Sequence, residues 1–220
     1  MTQGTRRTAD RASRRSFLTI AIGLPAFAAL GACGAGGGPP PRRFTVTLKS
    51  TYPEDLPAVD WSLEVEEPQA GEGIDTTRIA LLSGGTELQY YAAAEWQARA
   101  PEMLTGLMVD SFKATKQISE VGDRRARIRA DFRLKTVLRA FQAEGAAGEA
   151  PEVKVLIAAS LEQLPKREQV GSEEFRAVVP AASGKIEDIV LAFDEAFDKV
   201  MKRMAEWTLV TGEEASAASS

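Results

Sequence analysis

Ile186, Val190, Phe193, Phe197, Val200, Met204 and Trp207 recur in steps of four and three, a spacing that can be buried only as one side of an α-helix. Ile189, Leu191 and Met201 widen the stripe, and Glu187, Asp188, Asp194, Glu195, Asp198, Lys199, Lys202 and Arg203 fill much of the opposite side. Acids lead and bases follow, which suits the helix dipole, and Ser183 or Gly184 is placed to cap the start. A stripe this broad asks for a sheet beneath it. A coiled-coil seam would be narrower and would run for more than the roughly three heptads present. Residues 208–220 are small and polar and read as a disordered tail.

The sheet is written upstream. Phe44 to Leu48 alternates as a short strand, and Trp61, Leu63 and Val65 alternate with Asp60, Ser62 and Glu64 in a half-buried strand closed by Pro68. Residues 78–82 form a third strand, and after the Ser83-Gly84-Gly85-Thr86 turn, residues 88–91 return as its hairpin partner. Pro101 stands near the start of a helix carrying Met103, Leu104, Leu107, Met108, Val109 and Phe112. Ile118 and Val121 mark a short strand. Ile128, Ala130, Phe132 and Leu134 alternate with Arg129, Asp131, Arg133 and Lys135, and the same parity resumes at Leu138 and Ala140, giving a long strand with one polar face. Residues 153–164 are nearly all apolar, as a central strand should be, and residues 168–179 follow as its antiparallel neighbour across the turn near Pro165. With no internal repeat and no second linker, residues 44–207 form one domain of α/β class.

The first 43 residues read as an address. Ser13-Arg14-Arg15-Ser16-Phe17-Leu18 fits a twin-arginine export signal, and residues 17–30 carry no charge. That run makes about 21 Å of helix, short of the roughly 30 Å core of a bilayer, so it suits a signal peptide rather than a membrane span. It ends in Leu30-Gly31-Ala32-Cys33, which resembles the bacterial lipobox. In that motif the thiol receives a diacylglyceryl group, and small residues such as Gly31 and Ala32 admit the signal peptidase. Residues 1–32 are therefore read as a twin-arginine lipoprotein signal peptide, with Arg14, Arg15, Leu30 and Ala32 as its recognition residues and Cys33 as the lipidated one. Each buried CH₂ is worth ~0.8 kcal/mol, and two or more acyl chains hold stably where one does not. Residues 33–43 join Cys33 to the body through glycines and three prolines, a tether part flexible and part extended. Gly34 stands where an Asp holds enteric lipoproteins at the inner membrane, which favours the periplasmic side of the outer membrane.

The chain holds no His, and Cys33 is its only Cys. That excludes His-ligated metals, internal disulfides and Ser–His or Cys–His nucleophiles, and leaves acid–base work to carboxylates, Lys or Tyr. Neither a phosphate-binding P-loop nor a G-x-S-x-G elbow is present. No cofactor, metal or catalytic residue is expected. Loss of the first 32 residues removes five Arg and one Asp and takes the net charge from −4 to about −8, which argues against nucleic acid.

Some side chains fit two readings. Tyr90, Tyr91 and Trp96 suit a partner-binding patch or core and sheet-edge packing. Asp75 and Arg78 suit an ion pair or the shaping of a turn more than a ligand. Arg124, Arg125, Arg127 and Arg129 form a local basic cluster that meets lipid phosphates, meets an acidic partner, or is simply solvated. Arg42 and Arg43, at the end of the tether, meet lipid phosphates or are simply solvated. A hydrolase built on Asp131 and a Glu would need two carboxyls ~5–9.5 Å apart in a cleft, and no spacing selects such a pair.

Several stretches in order resemble a known family: Val65-Glu66-Glu67-Pro68, residues 74–80 (Ile-Asp-Thr-Thr-Arg-Ile-Ala), Leu88-Gln89-Tyr90-Tyr91, residues 96–104 (Trp-Gln-Ala-Arg-Ala-Pro-Glu-Met-Leu), Ala130-Asp131-Phe132-Arg133-Leu134 and Phe193-Asp194-Glu195-Ala196-Phe197, with Trp207 closing the helix. Together they resemble the ABC-type transport auxiliary lipoproteins, which include the lipoprotein of the paraquat-inducible system. The twin-arginine signal departs from the export route usual there. The resemblance implies an α/β sandwich: a mixed, partly antiparallel sheet with two main helices packed on it. It also implies an ABC permease, an ATPase and a substrate-binding protein with a mammalian-cell-entry (MCE) domain as partners, in lipid movement between the two membranes, with homo-oligomers a further expectation. On that basis three roles can be set side by side: an assembly or bridging component, a periplasmic lipid carrier with an apolar cavity, and a carboxylate hydrolase.

Overall fold

The computed structural model describes residues 40–47, 51–53 and 56–219. The signal residues Arg14, Arg15, Leu30 and Ala32, the lipidation residue Cys33 and most of the tether lie outside the described residues.

Nine strands and two helices follow one another: β1 (Arg42–Phe44), β2 (Val59–Val65), β3 (Gln69–Ala70), β4 (Arg78–Ser83), β5 (Glu87–Trp96), α1 (Ala100–Thr115), β6 (Ile118–Asp123), β7 (Phe132–Glu144), β8 (Glu152–Gln163), β9 (Glu168–Pro180) and α2 (Ile186–Ser219). They form a single domain, a mixed open sheet with two helices packed on it. The organising strand is β7. One edge pairs antiparallel with β8 along its whole length, from Phe132↔Gln163 to Glu144↔Glu152. The other edge is shared by three parallel strands in succession: β2 at residues 132–134, β3 at 137–138 and β4 at 142–144. The sheet therefore forks on that side, into β2–β6 and into β4–β5–β1. Helix α1 leads from the end of β5 in one branch to the start of β6 in the other. Beyond β8, β9 adds antiparallel as an edge.

Strand parity explains the core. Val153, Val155, Ile157, Ala159 and Leu161 of β8 are buried, as are Phe175, Ala177 and Val179 of β9. In β7 the even residues Phe132, Leu134, Thr136 and Leu138 point inward. A register shift between Leu138 and Ala140 then reverses the parity, so that Phe141 and Ala143 are buried beyond it. A bulge of this kind adds a residue to one strand and turns the rest of that strand over. The other face carries ion pairs between strands: Arg133 with Glu64 at 2.8 Å, Lys135 with Glu162 at 2.8 Å and Lys154 with Glu144 at 3.1 Å. Such partly exposed pairs add ~1 kcal/mol or less each. They dress the face more than they hold it.

Several boundaries differ from the sequence expectation. The tether does not run to residue 43, because Arg42 and Arg43 already pair with Ala94 and Glu95 in β1, and Arg42 reaches Glu187 in the first turn of α2. Residues 45–47 are not strand. They are held instead by Asp194 of α2, which accepts hydrogen bonds from the Thr47 amide and hydroxyl, both at 2.9 Å. Residues 128–131 precede β7 rather than open it. The segment after Thr208 is helix, not a disordered tail: α2 continues to Ser219 and makes 34 residues, about 51 Å. The cause is local packing. Thr208 and Leu209 are fully buried, and Gly212 lets α2 pass the Trp61 indole so closely that an added Cβ would stand 2.4 Å from its ring. Leu191, expected on the buried stripe, is 60% exposed, because the buried arc is centred on Ile189, Phe193, Ala196, Phe197 and Val200.

Leu209→Ala should cost about 2–5 kcal/mol in denaturant unfolding, as for other buried Leu truncations. A segment free of the core would show no change. Thr136→Val should leave stability equal or raise it, since the buried Thr136 hydroxyl has no hydrogen-bond partner among the described residues.

Candidate functional site

The three aromatics proposed as a partner surface sit on one strand, and β5 separates them. Opposite Ile79 of β4, β5 carries extra residues: Arg78 faces Glu95 while Ala80 faces Tyr90. Ala93 within this bulge takes a positive φ of 55°. Simple alternation would put Tyr90 and Trp96 on one face, and the bulge turns Trp96 inward instead. Trp96 is 1% exposed and packs with Phe141 and Phe193 in a cluster whose ring centroids lie 4.7–5.3 Å apart. It belongs to the core, so the partner-surface reading is withdrawn for this residue.

Tyr90 and Tyr91 are half-buried. The Tyr90 hydroxyl donates to the Gly73 carbonyl at 3.2 Å, and the Arg78 guanidinium lies over its ring at 3.7 Å. Of the two roles open to Asp75 and Arg78, the turn before β4 is the one found: the Asp75 amide donates to the Gly71 carbonyl at 2.9 Å, and the two side chains do not pair. Asp75 instead takes Arg99, the residue preceding α1, which also approaches Glu67 at 3.4 Å. Leu88, 40% exposed, completes a small patch with Tyr90 over Gly73, where a Cβ would stand 2.4 Å from Leu88 Cδ2. Tyr91 leans toward the core, and burial pushes its phenol above the usual value. Its neutral form is thereby favoured in the fold, so this contribution holds below the unfolded-state value and is lost as pH rises through the raised one.

Asp131 acts as a brace. Its Oδ2 accepts the Ser62 amide at 2.9 Å and lies 2.8 Å from the Ser62 hydroxyl, tying the approach to β7 onto β2. Among the described residues no group of three Cys, Asp or Glu is placed to hold a metal ion.

The basic cluster is an ordered turn. Asp123 Oδ1 accepts the amides of Arg125 and Ala126 at 3.0 and 3.1 Å, and Arg127 turns the chain with φ of 52°. Ala126 and Ile128 fold back over Gly122, leaving the arginines exposed. Arg125 reaches Glu102 of α1 at 3.4 Å. Beneath lies an open cleft of about 280 Å³ between the ends of β2 and β6 and the first turns of α1, with Val65, Thr105 and Gly106 in its wall.

The arrangement is that of a known group of proteins. The family model for the ABC-type transport auxiliary lipoprotein component matches residues 45–205. The chain belongs to this family. A crystal structure of a Xanthomonas campestris protein is similar to this auxiliary lipoprotein at 29% identity and a TM-score of 0.75, covering 80% of this chain and 99% of that one. A second solved structure, of an uncharacterized protein, shares the fold at 10% identity and a TM-score of 0.61 over 76% of this chain and 97% of its own. An uncharacterized protein of Bradyrhizobium diazoefficiens is 28% identical over 194 residues, which cover 80% of this chain and 47% of that protein. The auxiliary lipoprotein thus spans about half the length of that curated relative.

Sequence reasoning reached the tyrosines and the arginine turn. It missed the Arg99–Asp75–Glu67 group, whose members are separated along the chain and carry no periodic signal. Trp96→Ala should lower unfolding stability by about 3–5 kcal/mol, while Tyr90→Phe should leave it within about 0.5 kcal/mol, both read by chemical denaturation.

Proposed function

We propose that this auxiliary lipoprotein is a non-catalytic, membrane-anchored component of an ABC/MCE-type intermembrane lipid transport system, acting in assembly or bridging. The observation that carries the reading is the family match over residues 45–205 directly downstream of Leu30-Gly31-Ala32-Cys33. A thiol at that position, once diacylated, holds the body at a bilayer without a spanning segment. No helix among the described residues is long and apolar enough to cross a membrane, which is compatible with such an anchor.

The partners in this reading are an ABC permease, its ATPase and an MCE-domain substrate-binding protein. The body faces the periplasm from the inner leaflet of the outer membrane, after export by the twin-arginine route. A periplasmic lipid carrier would need an enclosed, mostly apolar cavity of roughly 300–1,000 Å³. The space between sheet and helices is instead filled by side chains such as Phe112, Phe141, Phe193 and Phe197, and the cleft beneath the arginine turn is open and lined with charge.

Cys33→Ser should move the protein from the membrane to the soluble or uncleaved precursor fraction, and the mass gain of a diacylglyceryl group should be present on Cys33 only in the parent chain. Affinity purification of the parent from gently solubilised membranes should recover the permease, the ATPase and the MCE-domain protein. Membrane retention of the Ser variant with unaltered lipid transport would remove the anchor from this account, and recovery of none of the three partners would remove the transport role.

A further inference from the structure

We propose that the turn at residues 123–129 is a second membrane contact, taking anionic phospholipid headgroups through Arg124, Arg127 and Arg129. This rests on the reading of the chain as membrane-anchored and adds a surface to it.

The turn places four arginines within six residues of a body whose net charge is about −8. Three acidic groups beside it are already engaged. Asp123 holds the turn's own amides, Glu102 faces Arg125 and Glu67 faces Arg99. Arg124, Arg127 and Arg129 are exposed and have no carboxylate partner among the described residues. Their backbone is fixed by Asp123, by the left-handed Arg127 and by the packing of Ala126 and Ile128 against Gly122. The cations therefore stand outward on a braced turn, with little ordering left to do on binding.

Two observations favour a bilayer over an acidic protein segment. A protein partner would need an apolar anchor beside the charges, and the large exposed apolar side chains, Leu88, Val137, Val178, Leu191 and Val210, lie on other elements. The reading of Cys33 as lipidated also keeps the body near a bilayer. Nine residues from Cys33 to Arg42 reach about 30 Å at most, so a lipidated Cys33 would keep the start of the body within about that distance of the bilayer. Each cation near an anionic surface adds about 1 kcal/mol, within a screening length of about 10 Å at 0.1 M salt.

The test uses the chain from Gly34 to Ser220, which lacks Cys33 and contains the whole compact unit from Pro39 onward. It is sedimented with vesicles of phosphatidylcholine alone and with vesicles of phosphatidylcholine and phosphatidylglycerol in equal parts. Binding should appear only with phosphatidylglycerol and should fall as salt is raised. Replacing Arg124, Arg127 and Arg129 together by Gln should weaken partition on the order of a hundredfold, while replacing all three by Lys should retain most of it. Equal binding to both vesicles, unchanged binding by the Gln variant, or no binding by the parent at low salt would overturn the proposal. Acylation of Cys33 is read separately by mass, so loss of the anchor and loss of this contact are distinguishable.

Discussion

Strand β7 has two edges and thirteen residues, and the rest of the sheet is hung from one or the other. Its pairing with β8 supplies a continuous ladder, while β2, β3 and β4 divide the remaining edge between them. No single one of those short strands could be stable alone. Each gains order by docking on a strand already fixed along its full length from the other side. The fork that results has a physical consequence for α1. The helix must cross from one branch to the other, and its first turns form one wall of the open cleft at the ends of β2 and β6.

The second organising feature is the aromatic cluster of Trp96, Phe141 and Phe193. It brings together the end of β5, the far half of β7 and the second turn or so of α2, three segments distant in sequence. Two irregularities make it possible. The bulge in β5 turns Trp96 inward, and the register shift in β7 turns Phe141 inward. Without either, one of the rings would face water. Buried aromatic pairs add about 0.5–1.5 kcal/mol beyond their burial, so the geometry outweighs a modest loss of strand regularity.

How much of this could be read from residue order depended on periodicity. The α2 stripe, the polar face of β7 and the hairpin of β4 and β5 were legible because a repeat of 3.6 or 2 names the buried side directly. For Trp96 the choice between partner patch and core packing stayed open, and it is the core reading that holds; no local signal announced the extra residues near Ala93 that turn the ring inward. The end of α2 was missed for a different reason. Residues 208–219 are weakly apolar, and they are helical because Trp61, far away in the chain, offers a surface that Gly212 can approach. The arginine turn was visible as composition, but its rigidity was not. That depends on the Asp123 side chain accepting amides two and three residues ahead. The motifs near the amino terminus announce an anchor through chemistry rather than through folding, which is why they could be read without reference to the body.

The sheet buries one face beneath its helices and leaves the other to solvent along β7, β8 and β9. Neighbouring residues of the same strand therefore answer to separate demands. Inward positions such as Val155 and Ile157 are fixed by volume, whereas outward ones such as Lys154 and Ser160 are fixed only by compatibility with water and with each other. A backbone divided in this way can have its outer alphabet rewritten while its interior stays intact, so one scaffold can present different chemistries without being refolded.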